Sequence, residues 1–153
     1  MFNVLDNIGF FGPILLVLIS ISQLWNQRPY LIGYLVFLFG NTTVNKLLKM
    51  SIKQARPSDG RSIINEDYVG ADKFGMPSAH AQSAFFSITY LYLTKDTSYW
   101  LLIGIFISAL TLYQRWSYRR HTAEQLWVGA AVGGCVAYAG VFLTKKWLTT
   151  RDF

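Results

Sequence analysis

The feature that most constrains this chain is a set of five uncharged stretches, each close to the length a helix needs to cross a bilayer's hydrocarbon core, roughly 17–25 residues. They run Asn7–Gln27, Pro29–Asn45, Phe74–Thr94, Thr97–Gln114 and Gln125–Thr144. Hydrocarbon offers no partners for backbone N–H and C=O groups, so such stretches must satisfy their own as helices. The expected fold is therefore all-α and integral to a membrane: a bundle of about five transmembrane helices in a single domain over residues 1–153. Charged residues make up only 14% of the chain and apolar residues 52%, against about 25% charge in a soluble domain. The alternative is that the shorter stretches are core helices of a soluble protein, which the fivefold recurrence disfavours.

The flanks agree. Asp6 is the only charge before the first stretch, so that stretch lacks the basic leader of a cleavable signal and is expected to be retained. Trp25, Tyr30, Tyr99, Trp100, Trp116 and Trp147 lie near stretch ends, where interfacial aromatics prefer to sit. The net charge of +6 comes from residues at helix ends, which suits anionic headgroups or a phosphorylated lipid and does not suggest nucleic acid. The single cysteine, Cys135, can form no intrachain disulfide. The sequon Asn41-Thr42-Thr43 falls inside the second stretch, where no glycan is expected. One long polar segment, Ser58 to Gly75, includes Asp59, Arg61, Glu66, Asp67 and Asp72 and is either a lid over a site or a solvated connector.

Counting crossings brings three distant motifs to one membrane face. The second helix ends there with Lys46, Lys49, Lys53 and Arg56, spaced to share one helical face. The third begins there at Pro77-Ser78-Ala79-His80, and the fourth ends there near Arg115 as the fifth begins at His121. Each motif has a plain reading: a snorkelling basic girdle, an ordinary helix start, an interfacial histidine. Each also has a chemical one. Lys49 and Arg56 can hold phosphoryl oxygens, arginine as a bidentate fork. A helix start with Pro77 in its first turn offers backbone N–H groups to an anion, with Ser78 adding a hydroxyl and Ala79 permitting close approach. His80 would act as proton donor. His121 would present Nε2 as nucleophile if Gln125, one turn on, or the competing Glu124 accepted its Nδ1–H. Two histidines without a cysteine or carboxylate at ligand spacing make a poor metal site, so metal binding is not expected.

In this order the motifs resemble the type-2 phosphatidic acid phosphatase superfamily of membrane phosphatases. Its pattern places a lysine seven residues before Arg-Pro, then Pro-Ser-Gly-His, then Ser-Arg with a histidine six after the arginine and an aspartate four further on. Lys49, Arg56-Pro57, Pro77-Ser78, His80, Arg115 and His121 stand at those spacings. Ala79 replaces glycine, Gln114 serine and Gln125 aspartate. Gly75-Met76-Pro77-Ser78-x-His80-x-Gln82 and His121-Thr122-x-x-Gln125 look like the dolichyl-diphosphatase branch, where glutamine is similarly placed.

The resemblance implies a site at one membrane face, with His121, His80 and Gln125 catalytic and Lys49, Arg56, Ser78, Ala79 and Arg115 binding phosphate. It implies no metal or other cofactor and a polyprenyl (dolichyl-type) lipid diphosphate as substrate among membrane lipids, hydrolysed to the monophosphate and inorganic phosphate through a phosphohistidine. It also implies an internal membrane of the endoplasmic-reticulum type, with the site lumenal. Charge does not settle orientation: nine Lys/Arg fall on the site face and five on the other, but six and five once Lys49, Arg56 and Arg115 are set aside as site residues. The alternatives are a phosphatase for another lipid phosphate such as phosphatidate, a non-catalytic headgroup-binding protein, and a channel or transporter. The last is disfavoured because the charges gather at one face and not at mid-membrane.

Overall fold

Five helices make up the bundle in the computed structural model: α1 (Val4–Leu24), α2 (Arg28–Ile52), α3 (Ala79–Thr94), α4 (Ser98–Ser117) and α5 (Ala123–Thr149). The structure describes residues 3–61, 63–64, 68–95 and 98–150. Glu66 and Asp67 of the polar segment, Thr97 and the C-terminal Arg151 lie outside the described residues. A short 3-10 turn, Gly70–Lys73, crosses the polar segment, and the described residues contain no strand, only an isolated bridge between Ala55 and Phe74.

By length and composition α1, α2 and α5 can each cross a membrane. The third helix is shorter than its apolar stretch: it starts at Ala79, because Phe74 to Ser78 run non-helically over the end of the bundle. With 16 residues it spans about 24 Å at 1.5 Å per residue. The second runs past its stretch to Ile52, so Lys46 and Lys49 are helical. Lys53 is the left-handed cap (φ 53°) and Arg56 lies beyond the helix. The four cations therefore do not share one helical face as their spacing suggested. Lys46 and Lys53 are exposed, as a girdle requires, while Lys49 turns fully inward.

Large apolar side chains point outward along α1, α2, α4 and α5, among them Ile14, Leu18, Val36, Phe39, Phe106 and Phe142, as a lipid-facing surface demands. Trp25, Tyr99, Trp116 and Trp147 are exposed near the helix ends. Inside, lipid supplies no hydrophobic force to join helices, so close backbone packing and hydrogen bonds must do so. Gly129, Gly133 and Ala137 form a small-residue stripe on α5 that lets α3 lie against it; a Cβ on Gly133 would collide with the Gln82 carbonyl. Gly9 and Gly12 play the same part for α1 against α4. Buried polar groups find partners across helices: the Tyr34 hydroxyl lies 2.8 Å from Ser87 Oγ, and Tyr90 donates to the Tyr30 carbonyl at 3.0 Å.

Candidate active site

The ends of α2, α3, α4 and α5 converge where the sequence motifs fall. Beyond α2, the Gln54 carbonyl accepts from the Gly75 N–H at 2.8 Å, next to the Ala55–Phe74 bridge. The Ser78 N–H donates to the Gln125 carbonyl at 3.0 Å, fastening the start of α3 to the first turn of α5. That first turn is a capping box: Thr122 Oγ1 accepts from the Gln125 N–H and Gln125 Oε1 accepts from the Thr122 N–H, each at 3.3 Å.

His121 is 3% exposed. Its Nδ1 lies 3.2 Å from Gln125 Oε1. Groups that cannot exchange roles determine which end of the Gln125 amide faces the ring. The Ala55 carbonyl, 2.8 Å from Nε2, can only accept, and the Thr122 N–H, against Oε1, can only donate. Oε1 therefore faces His121, and Nδ1 carries the proton. The lone pair is left on Nε2, where Arg56 Nη1 donates to it at 2.9 Å. Burial, then the nearby charges of Arg56 and Arg115, hold the imidazole well below its usual range, so it is neutral at pH 7. Glu124 is exposed and reaches Gln54 Nε2 instead, so of the two expected orienters only Gln125 meets the ring.

Arg56 is held along its whole guanidinium. Nε and Nη2 donate to the Asp72 carbonyl at 3.1 and 3.0 Å, Nη1 also donates to the Arg120 carbonyl at 3.2 Å, and the group stacks 3.9 Å from the Tyr68 ring centroid. Burial pulls it below the usual arginine range, and it remains charged at neutral pH. Lys49 Nζ donates to Asp72 Oδ1 at 2.8 Å. A cavity of about 210 Å³ beside Arg56 is lined also by Pro57, Ser58, Tyr68 and Arg120.

The second histidine stands on the first turn of α3, partly buried, with Arg115 Nη2 2.5 Å from its Nε2. Arginine can only donate, so this nitrogen is an acceptor here; to deliver a proton from it, His80 must first part from Arg115 and take one up. Arg115 is 2% exposed and lies 4.6 Å over the Phe10 ring. Ser78 is fully buried, and its hydroxyl caps α3 by accepting from the Ala81 N–H at 3.5 Å. The eight expected site residues thus gather at one end of the bundle. Among the described residues no three His, Cys, Asp or Glu side chains cluster as metal ligands.

Residues 30–149 match the PAP2 superfamily. The chain belongs to that superfamily. Among curated proteins it is 31% identical over 155 residues to dolichyldiphosphatase 1 of Plecturocebus moloch, covering 90% of this chain and 63% of the relative. It is 31% identical to human dolichyldiphosphatase 1 over 142 residues, 82% of this chain and 58% of that one. It is also 32% identical to lipid phosphate phosphatase gamma of Arabidopsis thaliana over 104 residues, 61% of this chain and 44% of the relative. The chain therefore spans between about two fifths and two thirds of the length of these relatives. No solved structure matches it.

The structure gives the departures from the PAP2 pattern different meanings. At position 125 a carboxylate would accept from His121 but could not donate to the Ala55 carbonyl or to Gln54 Oε1, each 2.8 Å from Gln125 Nε2. Glutamine does both. Gln114, by contrast, is 1% exposed and its amide has no partner among the described residues. Other residues that pack against the candidate site were not foreseen: Asp72, Gln54, Phe10 and a buried amide ladder. In the ladder Gln82 Nε2 donates to Asn41 Oδ1 at 2.9 Å, and Asn45 Nδ2 donates to Gln82 Oε1 at 2.8 Å and to the Pro77 carbonyl at 3.2 Å. The ladder left a legible trace, since Asn41, Asn45 and Lys49 recur every four residues on an apolar helix, where polar side chains need partners. Asp72, Gln54 and Phe10 lie in no such pattern.

Proposed function

We propose that this chain is a membrane lipid phosphatase that hydrolyses a polyprenyl diphosphate to the monophosphate and inorganic phosphate. The observation that carries the reading is His121, held by Gln125 in the Nδ1–H tautomer with its Nε2 lone pair against Arg56. A neutral, oriented imidazole beside a cation is what attack on a phosphoryl group needs. Nε2 forms a bond to the terminal phosphorus as the bond to the bridging oxygen breaks, and the lipid phosphate leaves with a proton from His80. Water then attacks the phosphohistidine phosphorus while giving a proton back to His80, and the P–N bond breaks with its electron pair returning to Nε2 as inorganic phosphate is released. Lys49, Arg56, Arg115, Ser78 and the Ala79 N–H hold the phosphoryl oxygens as charge moves. The cations supply the positive charge for this step, and the reaction is proposed to need no metal. Residues 1–153 are proposed to act as one membrane-embedded domain in an internal membrane of the endoplasmic-reticulum type, the site facing the lumen; the likeness to dolichyldiphosphatase 1 supports the choice of substrate.

The test is phosphate release from a polyprenyl diphosphate in detergent with chelator present, comparing the parent with His121→Ala. Release by the parent alone supports the mechanism; equal release by both removes His121 as nucleophile. The likeness to a lipid phosphate phosphatase favours a second reading, a preference for another lipid phosphate such as phosphatidate. A panel of lipid mono- and diphosphates separates the two, and release from none of them leaves a headgroup-binding role.

A further inference from the structure

Lys49 and Arg56, the two cations assigned to the phosphoryl oxygens, converge on one residue, Asp72. Lys49 is completely buried, and its ammonium pairs with the Asp72 carboxylate at 2.8 Å. Arg56 places Nε and Nη2 on the Asp72 carbonyl oxygen at 3.1 and 3.0 Å, the forked approach it would make to a phosphate. Held this way, Arg56 aims Nη1 at His121 Nε2, covering the lone pair that must attack. One residue thus presents two oxygens to the phosphate-binding cations and fixes the third contact that caps the nucleophile.

The segment bearing Asp72 is built to leave. It is the four-residue 3-10 turn Gly70–Lys73, none of whose residues is buried, and the Asp72 side chain is 51% exposed. Gly70 enters it in the left-handed region (φ 62°) that glycine adopts without strain. Behind it the Ala55–Phe74 bridge and the Gly75–Gln54 hydrogen bond fasten the chain, so the turn can swing while the start of α3 stays in place.

We propose that Asp72 is an internal anion that competes with a phosphoryl group for Lys49 and Arg56, and that a phosphoryl group binds by displacing it and freeing His121 Nε2. Without a counterion, buried Lys49 and neighbouring Arg56 would face each other uncompensated in a low-dielectric site, so the aspartate stabilises the resting state. With a phosphoryl group present, its carboxylate is a like charge beside the ligand and must turn outward. Asp72 then sets the affinity of the site by competing for its cations. The inference rests on the assignment of Lys49 and Arg56 to phosphoryl oxygens.

Orthophosphate binding to the detergent-solubilised chain, measured by calorimetry, tests it without turnover. Asp72→Asn should bind orthophosphate about tenfold more tightly than the parent, the direction expected when a competing like charge is removed, whereas Asp72→Glu should stay within a few-fold of the parent. Hydrogen exchange in the parent, which needs no variant, should quicken at residues 70–74 when orthophosphate saturates the site. Unchanged or weaker binding by Asp72→Asn, or slower or unchanged exchange at 70–74, overturns the proposal and leaves Asp72 a support for Lys49. The lipid panel separates this from the function itself. Tighter binding and a quickened turn without hydrolysis of any lipid would sink the phosphatase reading and keep the Asp72 inference; hydrolysis with a static turn would do the reverse.

Discussion

His121 sits among groups whose polarity the backbone dictates, whereas His80 is held by side chains from other helices. Around His121, the Thr122 N–H and the Ala55 carbonyl orient Gln125, and Gln125 orients the ring. Around His80, Arg115 of α4 meets Nε2, and Phe10 of α1 packs against both, 5.7 Å from the imidazole. One half of the site is set by a helix cap and the turn behind it; the other depends on how α1, α3 and α4 pack. The comparison teaches that the tautomer of His121 is set by the fold itself, whereas His80, if it acts as the proposed proton donor, must first part from Arg115 and take up a proton.

The sharpest way to break this contrast is to remove each histidine in turn. His121→Ala should lower phosphate release by a factor on the order of 10⁴–10⁶, the scale of losing a nucleophile. His80→Ala should cost about 10²–10⁴, as for a general acid whose substrate is still bound and polarised. Steady-state release rates check both, and equal losses would mean the two halves act as one unit. Next, Gln125→Leu should lower kcat by about 10²-fold, the scale of a mispositioned acid–base group. Gln125→Glu keeps an acceptor for His121 but loses the donor to Ala55, so it should fall between Gln125→Leu and the parent. On the other half, Phe10→Ala removes a cation–π contact worth about 0.5–2 kcal/mol, or roughly two- to thirtyfold in kcat/KM, and should leave the His121 tautomer seen by ¹⁵N NMR unchanged. The smallest effect is in the pH profile. Because His121 is held below its usual range by burial and then by Arg56, the acid limb of kcat/KM should lie below pH 6.5, and Arg56→Gln should move it upward. Stability follows the same sign. Above pH 6.5 His121 is neutral whether the chain is folded or not; below it the unfolded chain binds the proton first, so stability falls with pH.

Much of the site could be read from the residues because its motifs are local. Lys49 to Arg56-Pro57, Pro77 to His80 and Arg115 to His121 are each short, and counting apolar stretches put all three on one face. The unforeseen parts are contacts between distant segments: Asp72 with Lys49, Gln54 with Gln125, Phe10 with Arg115. The Gly129–Gly133–Ala137 stripe was a readable sign that α5 would pack closely, though not that its partner would be α3.

The sequence by itself determined that the chain is a helical membrane bundle, because uncharged stretches of this length have no other way to satisfy their backbone. It also placed the cations and histidines at helix ends, where charge can meet a phosphorylated headgroup. Only the tertiary structure decided which proton His121 carries, that Lys49 turns inward while Lys46 and Lys53 do not, and that one aspartate meets both Lys49 and Arg56. Those outcomes depend on distances of about 3 Å between residues far apart in the chain, which local spacing and composition do not specify.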